Sequence, residues 1–180
     1  MMKYGVIVTG IPASGKTTIA RQLANSLDFE LLDKDDFLED LFEQFGVQSL
    51  KDRKRFSRQS DQTFQDEAAR SGSAVLVSRW RPLLSTDESG TPTNWLTDEY
   101  DQLVEVFCTC SPKLALARFL ARTRHPGHMD YQNEVSELEK RMKSWADRFP
   151  LGIGEVLKVD AEGVPDIADL STRIRTAFYR

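Results

Sequence analysis

The run Gly10-Ile11-Pro12-Ala13-Ser14-Gly15-Lys16-Thr17 constrains this chain more than any other feature. It fills every fixed position of the pattern Gly-x-x-x-x-Gly-Lys-Ser/Thr. Its flanks decide what it means. Residues 4–9 read Tyr-Gly-Val-Ile-Val-Thr, short and β-branched, which predicts a buried strand. Beyond Lys16, the residues Ile19, Ala20, Leu23, Ala24 and Leu27 recur on one helical stripe. A strand, a glycine-bearing loop and a helix in that order turn consecutive backbone N–H groups toward one point. The glycines let the backbone approach phosphate oxygens with no Cβ in the way. The helix N-terminus adds partial positive charge to this anion nest. Gly10, Ile11, Pro12, Ala13, Ser14, Gly15, Lys16, Thr17 and Thr18 are therefore expected to hold the phosphates of a nucleotide. Lys16 would reach the β- and γ-phosphates, and the Thr17 hydroxyl would ligate Mg²⁺.

The rest of the chain repeats the strand–helix rhythm. Short apolar runs at 29–32, 73–77, 103–108 and 155–159 read as strands. Helical periodicity covers 36–45 and 50–71, a stretch opening at Ser111-Pro112, the series Val135, Leu138, Met142, Trp145 and Phe149, and the series Ile167, Leu170, Ile174 and Phe178. Five such units predict an α/β fold of three layers, α/β/α, on a five-stranded parallel sheet. The chain of 180 residues reads as one domain, 1–180, with a small helical lid at about 118–132. Residues 85–94 are polar and read as a loop.

Composition narrows the setting. Hydrophobic residues make up 40% and charged residues 29%, ordinary for a globular chain. No apolar run approaches the ~20 residues that span a bilayer. The first residues lack a signal-peptide core, and two cysteines make no disulfide framework, so a cytoplasmic protein is expected. Cys108 and Cys110 read as strand packing, and a zinc site with His125 and His128 is not expected. The net charge of −4 is unevenly placed. Residues 33–43 hold six acids and one lysine, and residues 51–58 hold five bases and one acid.

The length falls short of most motor or AAA-type ATPases. Two segments instead resemble the small P-loop kinases of the nucleoside-monophosphate-kinase-like fold. The first is Gly10–Thr18 followed by Leu31-Leu32-Asp33-Lys34-Asp35-Asp36-Phe37. It is similar to the polynucleotide 5′-kinase, zeta-toxin and gluconate-kinase-like group. The second is Cys110 through Arg124, an arginine-rich helix after the fourth strand that resembles the lid of these enzymes. The resemblance implies ATP and Mg²⁺ as cofactors and phosphoryl transfer to a hydroxyl. It aligns Asp35 with the acceptor base, a carboxylate that accepts the proton of the attacking hydroxyl. Asp33, two residues earlier and on the same side if the segment stays extended, would hold a Mg²⁺-bound water or share the base role. Asp36 reads as a cap or first-turn acid.

Arg118, Arg122 and Arg124 are expected to neutralise charge on the transferring group, with Arg118 and Arg122 on one helix face at i and i+4. Arg118 and Arg124 are also assigned to the nucleotide, and adenine would lie between the lid helix and residues 160–163. Arg79 and Arg81, flanking Trp80 past the third strand, are expected to face an acidic acceptor. Two departures from the family pattern stand out. Ser78 occupies the end of the third strand, where many relatives carry the Mg²⁺-water aspartate. Leu38 stands where polynucleotide kinases carry an acceptor-binding arginine.

The resulting expectation is an ATP-dependent kinase for a hydroxyl of a small anionic metabolite, a monomer or homodimer with no membrane partner. A polynucleotide 5′-hydroxyl or nucleotide kinase is the alternative. In it a nucleic-acid end is tracked by Lys51, Arg53, Lys54, Arg55 and Arg58. A non-catalytic or toxin-like ATP-binding regulatory module is the third reading.

Overall fold

The computed structural model describes residues 2–82 and 89–179. The strands are β1 (Tyr4–Thr9), β2 (Glu30–Asp33), β3 (Ala74–Val77), β4 (Gln102–Thr109) and β5 (Glu155–Asp160). They form one sheet in the order β2-β3-β1-β4-β5, with every neighbouring pair parallel. The helices are α1 (Lys16–Leu27), α2 (Lys34–Phe45), α3 (Leu50–Arg70), α4 (Leu96–Glu99), α5 (Pro112–Ala121), α6 (Val135–Ala146) and α7 (Ile167–Phe178). The parallel strands need both faces covered, and they have them. On one face Val6, Val8, Val75, Val104 and Val106 pack under Leu23 and Ala20 of α1 and Leu170 and Ile174 of α7. On the other, Ile7, Ala74 and Leu76 pack under Phe64 and Ala68 of α3 and Leu96 of α4. Phe64 is fully buried, and a side chain of that kind contributes about 2–3 kcal/mol.

The predicted three-layer architecture is the observed one. Its details differ in instructive ways. The second strand runs to Asp33, and α2 begins at Lys34 with no intervening loop. Asp33 is both the last strand residue and the N-cap of α2, its carboxylate accepting from the Asp35 N–H. The segment 33–36 therefore does not stay extended as expected, because a carboxylate at that position satisfies an orphan helix donor. The four-residue α4 was hidden by its polar sequence. Ser111 does precede Pro112 at the start of α5, but its side chain makes no cap; its N–H donates instead to Glu162 Oε1 at 2.6 Å. The 118–132 segment is helical only to Ala121, then extends and forms two single 3₁₀ turns at Pro126–His128 and Asp130–Gln132. Of the polar loop at 85–94, residues 85–88 lie outside the described residues. Thr91 bridges back to Trp80.

One buried carboxylate is structural. Glu105 on β4 is fully buried and accepts from the Thr9 hydroxyl and from the N–H groups of Leu151, Gly152 and Ile153. It pins the approach to β5 against the centre of the sheet.

Candidate active site

The β1–α1 loop has the backbone that the motif demands. Gly10 and Gly15 adopt φ of 134° and 101°, and Ala13 between them is also left-handed at 61°. A Cβ on Gly10 would stand 2.6 Å from the Cys108 carbonyl, so only glycine closes this turn. The Ser14 hydroxyl is buried with no hydrogen-bond partner among the described residues. Lys16 folds back onto the Gly10 and Ile11 carbonyls at 3.0 and 2.9 Å. Burial pushes its ammonium down to about 8, against the pull of Cys108, Asp35 and Asp33. An open nest of N–H groups, an unpartnered hydroxyl and a desolvated lysine at the start of a twelve-residue helix fit a nucleotide polyphosphate.

Thr17, in the first turn of α1, meets Asp33 at the end of β2. The Thr17 hydroxyl donates to Asp33 Oδ2 at 2.9 Å, while Asp33 Oδ1 accepts the Asp35 N–H at 3.1 Å. Asp33 is only 6% exposed, and burial, then the charge of Asp35, raises its carboxyl to about 6. Paired hydroxyl and carboxylate oxygens suit a hard cation such as Mg²⁺.

Asp35 projects from the first turn of α2 and forms an ion pair with Arg124 Nη2. Burial alone would raise its carboxyl, but Arg124, His128, Lys34 and Lys16 together hold it below the usual carboxylate range. Arg124 Nη1 and Arg122 Nη2 both reach Asp130 Oδ2, at 3.4 and 3.7 Å. Arg122 stacks on Phe119 at 4.2 Å, and its buried Nε has no hydrogen-bond partner among the described residues. Burial and the neighbouring Arg124 lower it to about 10.

The three arginines expected to act from a lid divide differently from the expected arrangement. Arg122 is the C-cap of α5 with extended backbone (φ −79°, ψ 148°), so it does not share a helix face with Arg118. Arg118 donates to the Ala161 and Glu162 carbonyls at 2.8 and 3.3 Å. That places it on the loop after β5, while Arg122 and Arg124 converge near Asp35. Asp36 is an exposed first-turn acid.

The arginines past β3 also separate. Arg79 lies over the Trp145 ring at 4.8 Å and donates to Ser89 Oγ at 2.7 Å. With Pro12, Trp80, Trp145, Arg148 and Phe149 it lines a cleft beside the phosphate loop. Arg81 turns to the Gly90 carbonyl at 3.0 Å, where it holds the returning loop. Trp80 is a wall residue, its indole N–H bonded to the Val8 carbonyl at 3.0 Å. Cys108 is buried and its thiol pushed up to about 12 by burial, whereas Cys110 lies beyond the strand and is part-exposed.

Three sets of contacts lie beyond what the sequence predicts. Arg53, on the inner side of α3, donates from Nε to the His128 carbonyl at 2.8 Å. His128 is buried, and its Nε2 lies 2.7 Å from Glu39 Oε1 on α2. Gly127 beside it meets Phe42 so closely that a Cβ would stand 2.5 Å from the ring, so the 125–128 segment is docked on α2. Lastly, Lys34 Nζ pairs with Asp61 of α3 at 3.0 Å. Asp61 also accepts from the Thr91 hydroxyl at 2.7 Å, which shares a 2.5 Å hydrogen bond with Ser78. The strand end that lacks an acid is thus reached by a carboxylate from α3, already neutralised by a lysine. The clustering of five bases within 51–58 hid that Arg53 alone turns inward.

A family model described as "AAA domain" matches residues 6–140. That stretch runs from the first strand through the phosphate loop and α5 into α6, so shortness alone did not separate this chain from the family. No curated protein matches it in sequence. Among solved structures, a candidate kinase from Chloroflexus aurantiacus is similar, at 25% identity and a TM-score of 0.81. The match covers 98% of this chain and 99% of that one. A deoxyadenosine kinase from M. mycoides shares the fold at 16% identity and a TM-score of 0.58, covering 96% and 97%. A gluconokinase from Sinorhizobium meliloti does so at 16% and 0.53, covering 99% and 93%. The fold is that of a P-loop kinase with a nucleoside-monophosphate-kinase-like core.

Proposed function

The chain belongs to the AAA-domain family in its P-loop kinase form, and on that premise we propose that it transfers the γ-phosphoryl group of ATP to a hydroxyl of a small anionic metabolite. The observation that carries this reading is the convergence of Lys16, the Thr17–Asp33 pair and Asp35 at the C-terminal ends of β1 and β2. The phosphates sit in the Gly10–Thr18 nest, with Lys16 leaving the loop carbonyls for them. Adenine lies toward β5, where Arg118 holds the Ala161–Glu162 backbone. Thr17 and Asp33 would hold Mg²⁺, which when bound would screen charge on the phosphates.

The acceptor enters over the opposite half of the sheet, above β2 and β3. Its hydroxyl takes the place of the Arg124 guanidinium on Asp35, whose carboxylate orients it and accepts its proton. Arg124 and Arg122 are then available to the transferring group. The docked lid excludes water, which would otherwise compete as acceptor. Among the described residues, no helix is long and apolar enough to cross a membrane.

A nucleotide or polynucleotide 5′-hydroxyl acceptor is the second reading, supported by the exposed Lys51, Lys54, Arg55 and Arg58 along α3. Leu38 weighs against it, because it is buried under Phe42 and Phe56 where an acceptor arginine would be needed.

The test is ADP release measured across hydroxy acids, neutral polyols, nucleosides and 5′-hydroxyl oligonucleotides, with Lys16→Ala as the blank. Turnover with small hydroxy acids supports the first reading. Salt-sensitive turnover with oligonucleotides alone supports the second. No acceptor above the blank contradicts both.

A further inference from the structure

Three guanidiniums gather near Asp35, and they are not held alike. Arg53 and Arg122 are each within electrostatic reach of Arg124 and of two carboxylates, Asp130 and Asp35. Lys34 is paired with Asp61 at 3.0 Å, and Glu39 is taken by the His128 ring. Two of the three guanidiniums have ion pairs with these acids. Arg53 has none.

Arg53 is also the one held in place. Its Nε is fixed on the His128 carbonyl of the lid segment, and its position on α3 is set by Phe56, buried three residues on. Neither terminal nitrogen makes a hydrogen bond or ion pair among the described residues. The neighbouring bases Lys51, Lys54, Arg55 and Arg58 are exposed on the outer side of the helix. A half-buried guanidinium anchored by Nε presents its remaining N–H groups as a fork, a geometry matched by two oxygens of one anionic group.

We propose that Arg53 is the acceptor-anchoring residue: its open fork takes a carboxylate or phosphate monoester of the acceptor and thereby sets the hydroxyl against Asp35. This rests on the kinase reading above and narrows it. The substrate class is a hydroxylated acid or hydroxylated phosphate ester, and a neutral polyol leaves the Arg53 fork unfilled. The anchor depends on the lid, because the His128 carbonyl orients it. Acceptor selection and lid docking therefore share one residue.

The experiment compares matched acceptors that differ only in charge. Glycerate and gluconate are set against glycerol and glucose, and glycerol phosphate and glucose 6-phosphate form the second arm. Each is measured as kcat and KM with wild type, Arg53→Gln and Arg53→Lys. ATP·Mg thermal protection is recorded for each protein as the check on folding and nucleotide binding. Wild type is expected to favour the charged member of at least one pair about a hundredfold in kcat/KM. Arg53→Gln should collapse that ratio below about tenfold, chiefly through acceptor KM, with ATP protection retained. Arg53→Lys, which keeps the charge and loses the fork, should fall between them. The arm that responds says whether the anion is carboxylate or phosphate. If acceptors turn over and Arg53→Gln keeps the wild-type ratio, the anchoring role is wrong and the kinase reading stands. If no acceptor turns over with wild type, the kinase reading fails and the anchor with it.

Discussion

Thr17 and Asp33 share a hydrogen bond of 2.9 Å that joins the first turn of α1 to the end of β2. The bond brings a buried carboxylate to the hydroxyl proposed to hold Mg²⁺, at a cost to the fold. The Asp33 carboxyl is raised from 3.8 to about 6, first by burial and then by Asp35. The folded state therefore binds this proton more tightly than the unfolded chain. Stability from this group is fully present below about pH 4 and is lost as pH rises through about 6. Asp33→Asn keeps an acceptor for the Asp35 N–H and carries no charge. Without Mg²⁺ it should be more stable than wild type at pH 8, by up to ~3 kcal/mol. That advantage should nearly vanish at pH 4, and the Mg²⁺ dependence of ATP binding should be lost. Urea denaturation at pH 8, 5 and 4 checks the sign. An advantage that does not change with pH contradicts the assignment.

Arg124 rests on Asp35 but is expected to act on phosphate. The Asp35 side chain is half exposed, so the pair contributes under ~1 kcal/mol to stability. Arg124→Ala should therefore leave the urea midpoint nearly unchanged. Turnover should fall about a hundredfold or more. A loss of stability without a loss of turnover would make Arg124 a structural tie only.

Lys34 and Asp61 form a buried pair, with side-chain exposures of 8% and 15%. Removing one partner strands the other charge. Asp61→Asn should destabilise by roughly 3 kcal/mol, and the Lys34→Met/Asp61→Leu double variant should recover most of it. Urea denaturation of the singles and the double gives the coupling. Simple additivity would mean the pair is not an energetic unit.

The legible parts of the molecule were those governed by local periodicity and one local motif. Strand β1, the phosphate loop and α1 follow from β-branching, two glycines and the apolar stripe of α1, all within 25 residues. The Thr17–Asp33–Asp35 constellation was within reach because Asp33 ends β2 and Asp35 follows two residues on, at the strand ends where the parallel fold collects its ligands. What it does locally was not legible, since whether Asp33 extends the strand or caps the helix is decided by competition for the Asp35 N–H. Arg53 and His128 are 75 residues apart, and Lys34, Asp61 and Thr91 come from three separate elements. No short-range pattern encodes such pairings. The i, i+4 spacing of Arg118 and Arg122 misled because α5 ends at Ala121, one residue before the second arginine. Among five bases in 51–58, only packing of Phe56 into the α2–α3 core reveals which side chain turns inward.

The central claim is that Asp35 acts on the acceptor hydroxyl, and single-turnover phosphoryl transfer tests it most directly. Wild type and Asp35→Asn are loaded with γ-labelled ATP·Mg and mixed with the best hydroxy acid from the acceptor screen. Asp35→Asn should bind ATP within about twofold of wild type, because the Gly10–Thr18 nest is untouched. Its rate of labelled product formation should fall about 10²- to 10⁴-fold. Transfer within about threefold of wild type would contradict the role of Asp35 and, with it, the arrangement of the site proposed around it.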